Sequence, residues 1–314
     1  MNFSASRIQI ACQNASLPMS DSSTRTDLRK PEWLRMSLPR PSAAEPLLKT
    51  VHKFGLETVC REAKCPNALD CHARGTATFM ILGAVCTRAC RFCNVASGRP
   101  EAVDRTEPAR LALAVESLGL KHCVITSVDR DDLPDFGAGH FADCIRAVRH
   151  RNPDCTLEVL TPDFNGSVNS IQTVVSARPD VYNHNLETVP RLSPTIRPKA
   201  KYIQSLRLLE YVKRLDPAMP TKSGIMVGLG EKPEEIPPVL DDMRAYGIEI
   251  LTIGQYLRPT QKHVPVARYV PPAEFAEWAR YARSIGFAHA YCGPLVRSSF
   301  HAEEVFASAR VAAL

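Results

Sequence analysis

The chain has no long hydrophobic segment. Nowhere in its 314 residues does an apolar run reach the roughly 18 residues that a membrane-crossing helix needs, so we predict no membrane association. Residues 1–30 lack the apolar core of a secretory signal peptide. They are rich in Ser and contain Arg, as organellar transit peptides do, but Asp21, Asp27 and the short length argue against that assignment. We therefore expect a cytoplasmic protein.

The chain also lacks a basic segment interleaved with aromatic residues. Its formal net charge of +6 is distributed along the sequence, so nucleic-acid binding is not indicated. A mildly basic surface can attract an acidic protein partner. An ordinary solvated surface is the simpler explanation of this charge.

Two short cysteine blocks each lack a fourth cysteine. The first block has the spacing C-x4-C-x5-C and the second has C-x3-C-x2-C. Their members are Cys60, Cys65 and Cys71 in the first block and Cys86, Cys90 and Cys93 in the second. Clustered cysteines in a chain without an export signal indicate metal ligation rather than disulfides. Four thiolates usually hold a 4Fe–4S cluster, so each block predicts a cluster with one iron open to another ligand.

From residue 77 onward, short apolar runs alternate with helical segments. We predict strands at Thr78–Val85, His122–Ser127, Thr156–Leu160, Val181–Asn183, Ser223–Val227 and Ile250–Ile253. We predict helices at Pro108–Leu118, Ala138–Arg149, Ser167–Ser176, Ala200–Leu215, Pro233–Tyr246 and Pro272–Ile285. This alternation indicates repeated βα units around a parallel sheet. Six such units favour an α/β fold, a partial (β/α)6 barrel of TIM type; a doubly wound open sheet is the alternative.

The second cysteine block follows the first predicted strand directly, where barrels carry their functional loops. An open iron at this position can bind S-adenosylmethionine (SAM) through its amino and carboxylate groups. One electron from the cluster then cleaves the sulfonium and gives a 5′-deoxyadenosyl radical. A zinc knuckle is the alternative, but zinc sites usually close with four ligands and this loop supplies three. The block, with Phe92 before its last cysteine, resembles the radical SAM superfamily.

The first cysteine block has two interpretations. The spacing favours an auxiliary iron–sulfur cluster. A structural zinc site that borrows His72 is the alternative. Cys71 and His72 are adjacent in the sequence, and adjacent residues rarely reach one tetrahedral ion well.

Several long segments resemble one family within that superfamily. The segments REAKCPN, TSVDRDDLPDFGAGHF, LEVLTPDF, VYNHNLETVPRL, GQYLRPTQKHVPVARYVPPAEF and RSSF are similar to those of the lipoyl synthase family, from about Lys30 to about Ala307. The resemblance implies radical insertion of two sulfur atoms at carbons 6 and 8 of an octanoyl chain. That chain is attached to a lysine of a lipoyl-carrier domain. Two SAM molecules are consumed per product, and the auxiliary cluster is the sulfur source.

The resemblance also implies roles for individual residues. Cys86, Cys90 and Cys93 match the ligands of the radical cluster; Cys60, Cys65 and Cys71 match those of the auxiliary cluster. In the family, a serine of an Arg-Ser-Ser-Tyr motif completes the auxiliary cluster. The motif here is RSSF, and we assign that role to Ser299. Phe300 replaces the family tyrosine, which leaves any hydrogen bond from that hydroxyl in doubt. Read without the family, Ser298–Ser299 would be the N-cap of a helix over 301–309.

The remaining assignments follow from strand ends and from the family. We expect SAM contacts from loop residues at the ends of the second, third and fourth strands, namely Ser127, Asp129, Glu158, Asn185 and Glu187. The expected cofactors are two 4Fe–4S clusters and SAM. The expected partners are octanoylated lipoyl-carrier domains (2-oxoacid dehydrogenase E2 subunits and the glycine cleavage H protein), a reductant such as flavodoxin or ferredoxin, and an iron–sulfur carrier.

We divide the chain into four parts. Residues 1–50 are predicted to be an extended N-terminal arm, partly disordered at its start. Residues 51–75 carry the auxiliary cluster, 76–290 form the partial barrel, and 291–314 form the C-terminal segment with RSSF.

Other features have plainer interpretations. Gly228 and Gly230 follow a strand, but Pro233 stands where a dinucleotide-binding loop needs a third glycine. His263 either lines the substrate channel or is structural. We predict that four scattered cysteines pack in the core: Cys123, Cys144, Cys155 and Cys292. Two alternative functions remain: another sulfur-inserting radical enzyme, similar to biotin synthase, and a non-catalytic metal-binding protein.

Overall fold

The computed structural model describes residues 29–35, 41–63, 65, 67–73 and 77–299, with the side chains of 41–43 and 73 left out. The strands are β1 Glu57–Thr58, β2 Thr78–Ile81, β3 Val85–Cys86, β4 Ala96–Ser97, β5 His122–Ser127, β6 Thr156–Leu160, β7 Val181–Asn183, β8 Thr221–Val227, β9 Ile250–Gln255 and β10 His289–Gly293. The helices are α1 Pro41–Lys53, α2 Val59–Glu62, α3 Ala68–Ala73, α4 Glu107–Leu118, α5 Ala138–Arg151, α6 Val168–Ser176, α7 Ser193–Ile196, α8 Tyr202–Leu215, α9 Ile236–Ala245 and α10 Pro272–Ser284. Short 3-10 turns lie at Glu32–Leu34, Phe164–Gly166 and Pro233–Glu235.

The main sheet has the strand order β1-β2-β5-β6-β7-β8-β9-β10. Its strands are parallel except β1, which runs antiparallel to β2. Spatial order therefore follows chain order, as expected for consecutive βα units. In the part of the chain that the structure describes, β1 and β10 are the two free edges. The sheet is an open, partial barrel, which confirms the predicted fold class and excludes the doubly wound alternative.

Helices α4, α5, α6 and α8 pack side by side on the outside of the sheet, and α9 packs on α10. The interior strands are mostly apolar because they are buried on both faces, with polar exceptions such as Glu158 on β6 and Lys222 on β8. Cys123, Cys144 and Cys155 are buried in this core and Cys292 packs against it, as predicted. Among the described residues, no helix is long and apolar enough to cross a membrane.

Two strand predictions need correction. The first strand ends at Ile81 rather than Val85, because Leu82 and Gly83 adopt positive φ angles of 68° and 91° that end the extended chain. β10 was not predicted, and the proposed boundary between 290 and 291 falls inside it. This strand lies at the sheet edge, is half-buried along its length, and so lacks a continuous apolar run.

The six helix predictions hold, and four further helices, α1, α2, α3 and α7, were not predicted. Residues 41–50, expected to be extended, belong to α1. Ala44, Leu47 and Val51 form its buried stripe at helical spacing, and α1 packs on α3 and α4. The predicted helix at 233–246 begins as a 3-10 turn before α9. The start of the predicted arm (1–28), Phe300 and the possible helix over 301–309 lie outside the described residues.

A buried ion pair joins two strands across the inside of the barrel. The Nζ of Lys222 on β8 lies 2.9 and 3.0 Å from the two carboxylate oxygens of Glu158 on β6, and the side chains are 0% and 1% exposed. Asn183 on the intervening β7 donates to the same carboxylate at 3.0 Å. Burial alone would raise the pKa of Glu158, but Lys222 and then His122 outweigh it and lower the pKa to about 2.

Lys222→Met is expected to destabilise the protein by about 3–5 kcal/mol, because it leaves the Glu158 carboxylate buried without its cation. Urea unfolding measures the change. The double variant Glu158→Gln/Lys222→Met serves as the control and should recover most of the loss. Because the pKa is lowered from 4.5, the ion pair stabilises the fold above that pH and this contribution is lost as the pH falls towards 2. A cost below about 1 kcal/mol for the single variant would contradict this role.

Candidate active site

A cavity of about 610 Å³ lies at the carboxyl end of the parallel strands. The predicted ligands of both clusters line it together: Cys60, Cys65, Cys71, Cys86, Cys90, Cys93 and Ser299. Functional sites of open α/β sheets and barrels lie at this end of the strands. The fold therefore brings two blocks and a serine that is more than 200 residues from the first block into one site.

The loop with the second cysteine block is tied to the end of β5. Thr87 N donates to Asp129 O at 3.0 Å, and Asp131 N donates to the Thr87 hydroxyl at 3.0 Å. The sulfur of Cys86 accepts hydrogen bonds from the backbone N–H groups of Arg88 and Asp129, at 3.4 and 3.3 Å. These contacts hold the loop in one conformation against the sheet.

Arg88, inside the second cysteine block, is a buried cation among three carboxylates. Its guanidinium lies 2.7 Å from Asp131, 2.7 Å from Asp163 and 3.3 Å from Asp129, and its side chain is 5% exposed. Hydrogen bonding to Arg88 lowers the pKa of Asp131. Burial would raise the pKa of Asp163, but Arg88 outweighs it and lowers that pKa as well. At Asp129 the balance is the reverse: burial raises its pKa despite Arg88.

The cysteine sulfurs beside the cavity are shielded from solvent, so without a bound metal they stay protonated thiols. Burial raises the pKa of Cys60 and of Cys86 to about 11 and that of Cys90 to about 12. Cys86 and Cys93 are close enough to Cys90 to raise its pKa further. Backbone N–H groups also face the sulfurs of Cys60 and Cys93. Such hydrogen bonds stabilise thiolates bound to iron and tune the cluster, so the residues present fit the proposed clusters.

The first cysteine block lies on two short helices beside the cavity. Cys60 is in α2 and Cys71 in α3, and Cys65 N donates to Cys60 O at 3.0 Å between them. His72 is buried and does not line the cavity, and its Nε2 has no hydrogen-bond partner among the described residues. The histidine therefore does not face the same space as the three thiols, which argues against the zinc alternative.

The C-terminal segment crosses the open side of the barrel. Asn67 Nδ2 donates to Leu295 O at 2.7 Å, and Thr78 Oγ1 donates to Ser299 Oγ at 2.7 Å. A Cβ at Gly254 would collide with Val296 O, so only glycine on β9 allows the segment to lie this close. Ser299 thus reaches the cavity from the far end of the chain.

Four of the five predicted SAM-binding residues line the cavity: Ser127, Asp129, Asn185 and Glu187. Asn185 donates to Glu187 at 3.1 Å and accepts from Ser298 Oγ at 2.9 Å. Burial raises the pKa of Glu187. Glu158 does not line the cavity and is a correction, because it lies in the middle of β6, two residues deeper in the barrel than the cavity-lining Leu160 on the same face, and pairs there with Lys222.

Four arginines that line the cavity were not predicted as site residues: Arg88, Arg197, Arg258 and Arg297. Arg88 lies inside the second block, Arg197 donates to the carbonyls of Asn185 and Leu186 at 3.0 and 2.9 Å, and Arg297 opens the RSSF motif. A position between two cluster cysteines does not single out Arg88, because Arg91 has such a position too and does not line the cavity. Arg197 has no sequence signal, because it follows the short helix α7 that the sequence pattern did not indicate.

Two other features proved structural. His263 does not line the cavity: Nε2 lies 2.9 Å from Cys93 O and Nδ1 lies 2.8 Å from Thr260 Oγ1. The N–H groups of Gly228 and Leu229 donate to the Glu231 carboxylate at 2.6 and 2.9 Å. These N–H groups are therefore occupied, in agreement with the absence of a dinucleotide loop.

Comparison of the sequence with known proteins finds a superfamily model and closely similar lipoyl synthases. The model described as the radical SAM superfamily matches residues 80–243. The chain is 54% identical over 285 residues to the lipoyl synthase of Rubrobacter xylanophilus, covering 91% of this chain and 89% of that protein. It is 52% identical over 296 residues to the lipoyl synthase of Haemophilus influenzae strain PittEE, covering 93% and 92%.

Solved structures share the fold at low identity. The FeFe-hydrogenase maturase HydG from Carboxydothermus hydrogenoformans aligns with a TM-score of 0.52 and 11% identity over 75% of this chain and 66% of its own. Streptococcus suis SuiB bound to S-adenosylmethionine aligns with a TM-score of 0.50 and 11% identity over 65% of this chain and 46% of its own. By the family model and the identity to curated relatives, this chain belongs to the lipoyl synthase family of the radical SAM superfamily.

Proposed function

We propose that this chain inserts two sulfur atoms at carbons 6 and 8 of an octanoyl chain carried on the lysine of a lipoyl-carrier domain. The observation that carries the proposal is the cavity on which both cysteine blocks and Ser299 open. The relatives at 52% and 54% identity are named for this reaction. A site with only one cysteine block would have fitted many radical enzymes.

The substrate carbons require radical chemistry. Their C–H bonds are unactivated, and environment shifts the pKa of a side-chain base by only up to about 5 units, which is far too little to deprotonate them. When bound, a 4Fe–4S cluster on Cys86, Cys90 and Cys93 supplies the electron that cleaves SAM, and a second cluster on the first block and Ser299 supplies the sulfur.

The protein's own residues position the reactants. Arg88 and its three carboxylates hold the loop of the second block against β5. Ser127, Asn185 and Glu187 provide polar atoms on the rim that suit the ribose and amino acid parts of SAM. Apolar side chains suit an alkyl chain and exclude water: Met80, Ile225, Met226 and Leu257 also line the cavity. This combination supports an octanoyl chain as the substrate.

Ser299 has a specific role in this proposal. A serine oxygen is a harder ligand than a thiolate and binds iron–sulfur iron less well. A weak fourth ligand on the auxiliary cluster would let that iron leave, which suits a cluster that is consumed as a sulfur source. The hydrogen bond from Thr78 at 2.7 Å supports the placement of Ser299 beside the first block.

The proposal extends to chain organisation and partners. Residues 51–75 with the C-terminal segment would carry the auxiliary cluster, and the barrel would carry SAM. The carrier domains would be those of 2-oxoacid dehydrogenase E2 subunits and the glycine cleavage H protein. A flavodoxin or ferredoxin would supply electrons, and an iron–sulfur carrier would rebuild the auxiliary cluster, all in the cytoplasm.

Anaerobically reconstituted protein is expected to contain about eight irons per chain, four for each cluster. Incubation with SAM, a reductant and an octanoyl-lysine peptide should replace two hydrogens of the peptide by two sulfurs, as measured by mass spectrometry. A reaction without SAM is the control and should leave the peptide unchanged. Zinc in place of iron, with no visible absorbance, would contradict the proposal.

A further inference from the structure

The outer side of the second cysteine block is protein surface. Ala89 and Arg91, on either side of Cys90, are exposed, and so are the residues of β4 that follow the block. Neither Ala89 nor Arg91 lines the cavity. A protein that approaches from this side would therefore come close to Cys90 without entering the space where SAM and the octanoyl chain would bind.

Exposed cations from three chain segments surround Cys90 on this side. Arg91 N donates to Ile196 O at 2.9 Å, and Val264 N donates to Arg91 O at 3.2 Å, which brings the segments before Lys199 and after Lys262 to the loop. Lys199 Nζ lies 3.3 Å from Thr87 O, and its side chain is 60% exposed. Lys262 is also exposed. We call Ala89, Arg91, Lys199 and Lys262 the loop face.

The neighbouring carboxylates neutralise the loop face only in part. Asp129, Asp131 and Asp163 bind Arg88, and Asp131 also lies 3.6 Å from Lys199 Nζ. Asp132 pairs with Arg130 at 2.9 Å. Within the described part of the chain, Arg91 and Lys262 have no ion pair. These two cations therefore keep the loop face positive, and Lys199 contributes less because it shares Asp131.

We propose that the loop face docks an acidic one-electron donor protein. The inference rests on the proposed function, which needs one electron for each SAM cleaved. The donor is oxidised by one electron, the radical cluster is reduced by one, and no bond forms or breaks. Electron-transfer partners form small, transient interfaces, and opposite charges steer their encounter. An octanoylated carrier must instead reach into the cavity, which the loop face does not line.

The test is the rate at which a reduced, acidic flavodoxin reduces the reconstituted protein in a stopped-flow instrument. Arg91→Glu/Lys262→Glu should lower the second-order rate constant by about 10-fold or more. Arg280→Glu/Arg283→Glu, the same charge change at two exposed positions on α10, should leave the rate constant unchanged. Raising the ionic strength from about 0.01 to about 1 M should abolish the difference in rate constant between the unaltered protein and the double variant, because the Debye length falls from about 30 to about 3 Å.

Dithionite separates docking from damage to the loop. Its reduction of the double variant should match that of the unaltered protein. If dithionite reduction of the double variant also slows, the single variant Lys262→Glu is the test, because Lys262 lies on a different segment from the cysteine block. A slower flavodoxin reaction of this single variant supports the proposal, and an unchanged one overturns it. The docking proposal would also be overturned by an unchanged flavodoxin rate constant in the double variant. A double variant that raised the KM for the octanoylated carrier and left the flavodoxin rate constant unchanged would show that the loop face binds the carrier. Failure of dithionite and SAM to give any sulfur insertion would refute the proposed function itself.

Discussion

Cys65→Ala is expected to leave SAM cleavage intact and to abolish sulfur insertion. Cys65 belongs to the first block, whereas Arg88 and the β5 contacts that hold the second block are independent of it. The radical cluster should therefore assemble and cleave SAM in the presence of dithionite. With the sulfur source missing, no product should form, a loss of at least about 100-fold, equivalent to about 2.7 kcal/mol. Chromatography of 5′-deoxyadenosine and mass spectrometry of the peptide measure the two activities separately.

Two further variants make the result specific to Cys65. Cys144→Ala removes a thiol that is buried in the core away from the cavity, and both activities should survive at equal folded fraction. Cys90→Ala is the converse change and should abolish SAM cleavage together with sulfur insertion. The sulfur-donor role of the first block would be wrong if Cys65→Ala still made lipoyl product.

The barrel and the cysteines were predictable because their signals are local. The predicted parallel strands are short, mostly apolar segments such as residues 250–253, and each is followed by a helical segment, so the order of these elements can be read without tertiary information. The spacing of Cys86, Cys90 and Cys93 specifies one compact loop by itself. Ser299 was assigned only through the family resemblance, since its local sequence also suits a helix cap.

The remaining features depend on contacts between distant parts of the chain. The hydrogen bonds Thr78–Ser299 and Asn67–Leu295 span more than 200 residues, and no local pattern encodes them. Glu158 shows a different difficulty. It lies in the middle of β6, on the same face as the cavity-lining Leu160 but two residues deeper, where Lys222 from another strand binds it. The depth at which the cavity ends depends on how the strands pack together, so the sequence did not show that Glu158 lies below it.

Arg88→Met is expected to abolish SAM cleavage and to destabilise the protein by about 3–5 kcal/mol, because three neighbouring carboxylates lose their shared buried cation. The guanidinium bonds Asp131 in a fork, with Nε at 2.9 Å and Nη2 at 2.7 Å, and reaches Asp163 with Nη2 at 2.7 Å. Lysine offers a single point charge that cannot reproduce this geometry, so Arg88→Lys should recover only part of the loss. Urea unfolding, iron content and 5′-deoxyadenosine formation measure the three effects.

Arg130→Met distinguishes a role at the site from a role in folding alone. Arg130 is as deeply buried as Arg88 and lies on the loop after β5 that carries Asp129 and Asp131. It binds Asp132 and the carbonyls of Leu82 and Glu101 and does not line the cavity. Its loss should destabilise the fold, while SAM cleavage per folded, iron-loaded molecule should stay near that of the unaltered protein. If Arg88→Met behaved in the same way, Arg88 would serve the fold rather than the loop. Only loss of cleavage in folded Arg88→Met protein supports the view that the three carboxylates act through Arg88 to position the radical-cluster cysteines.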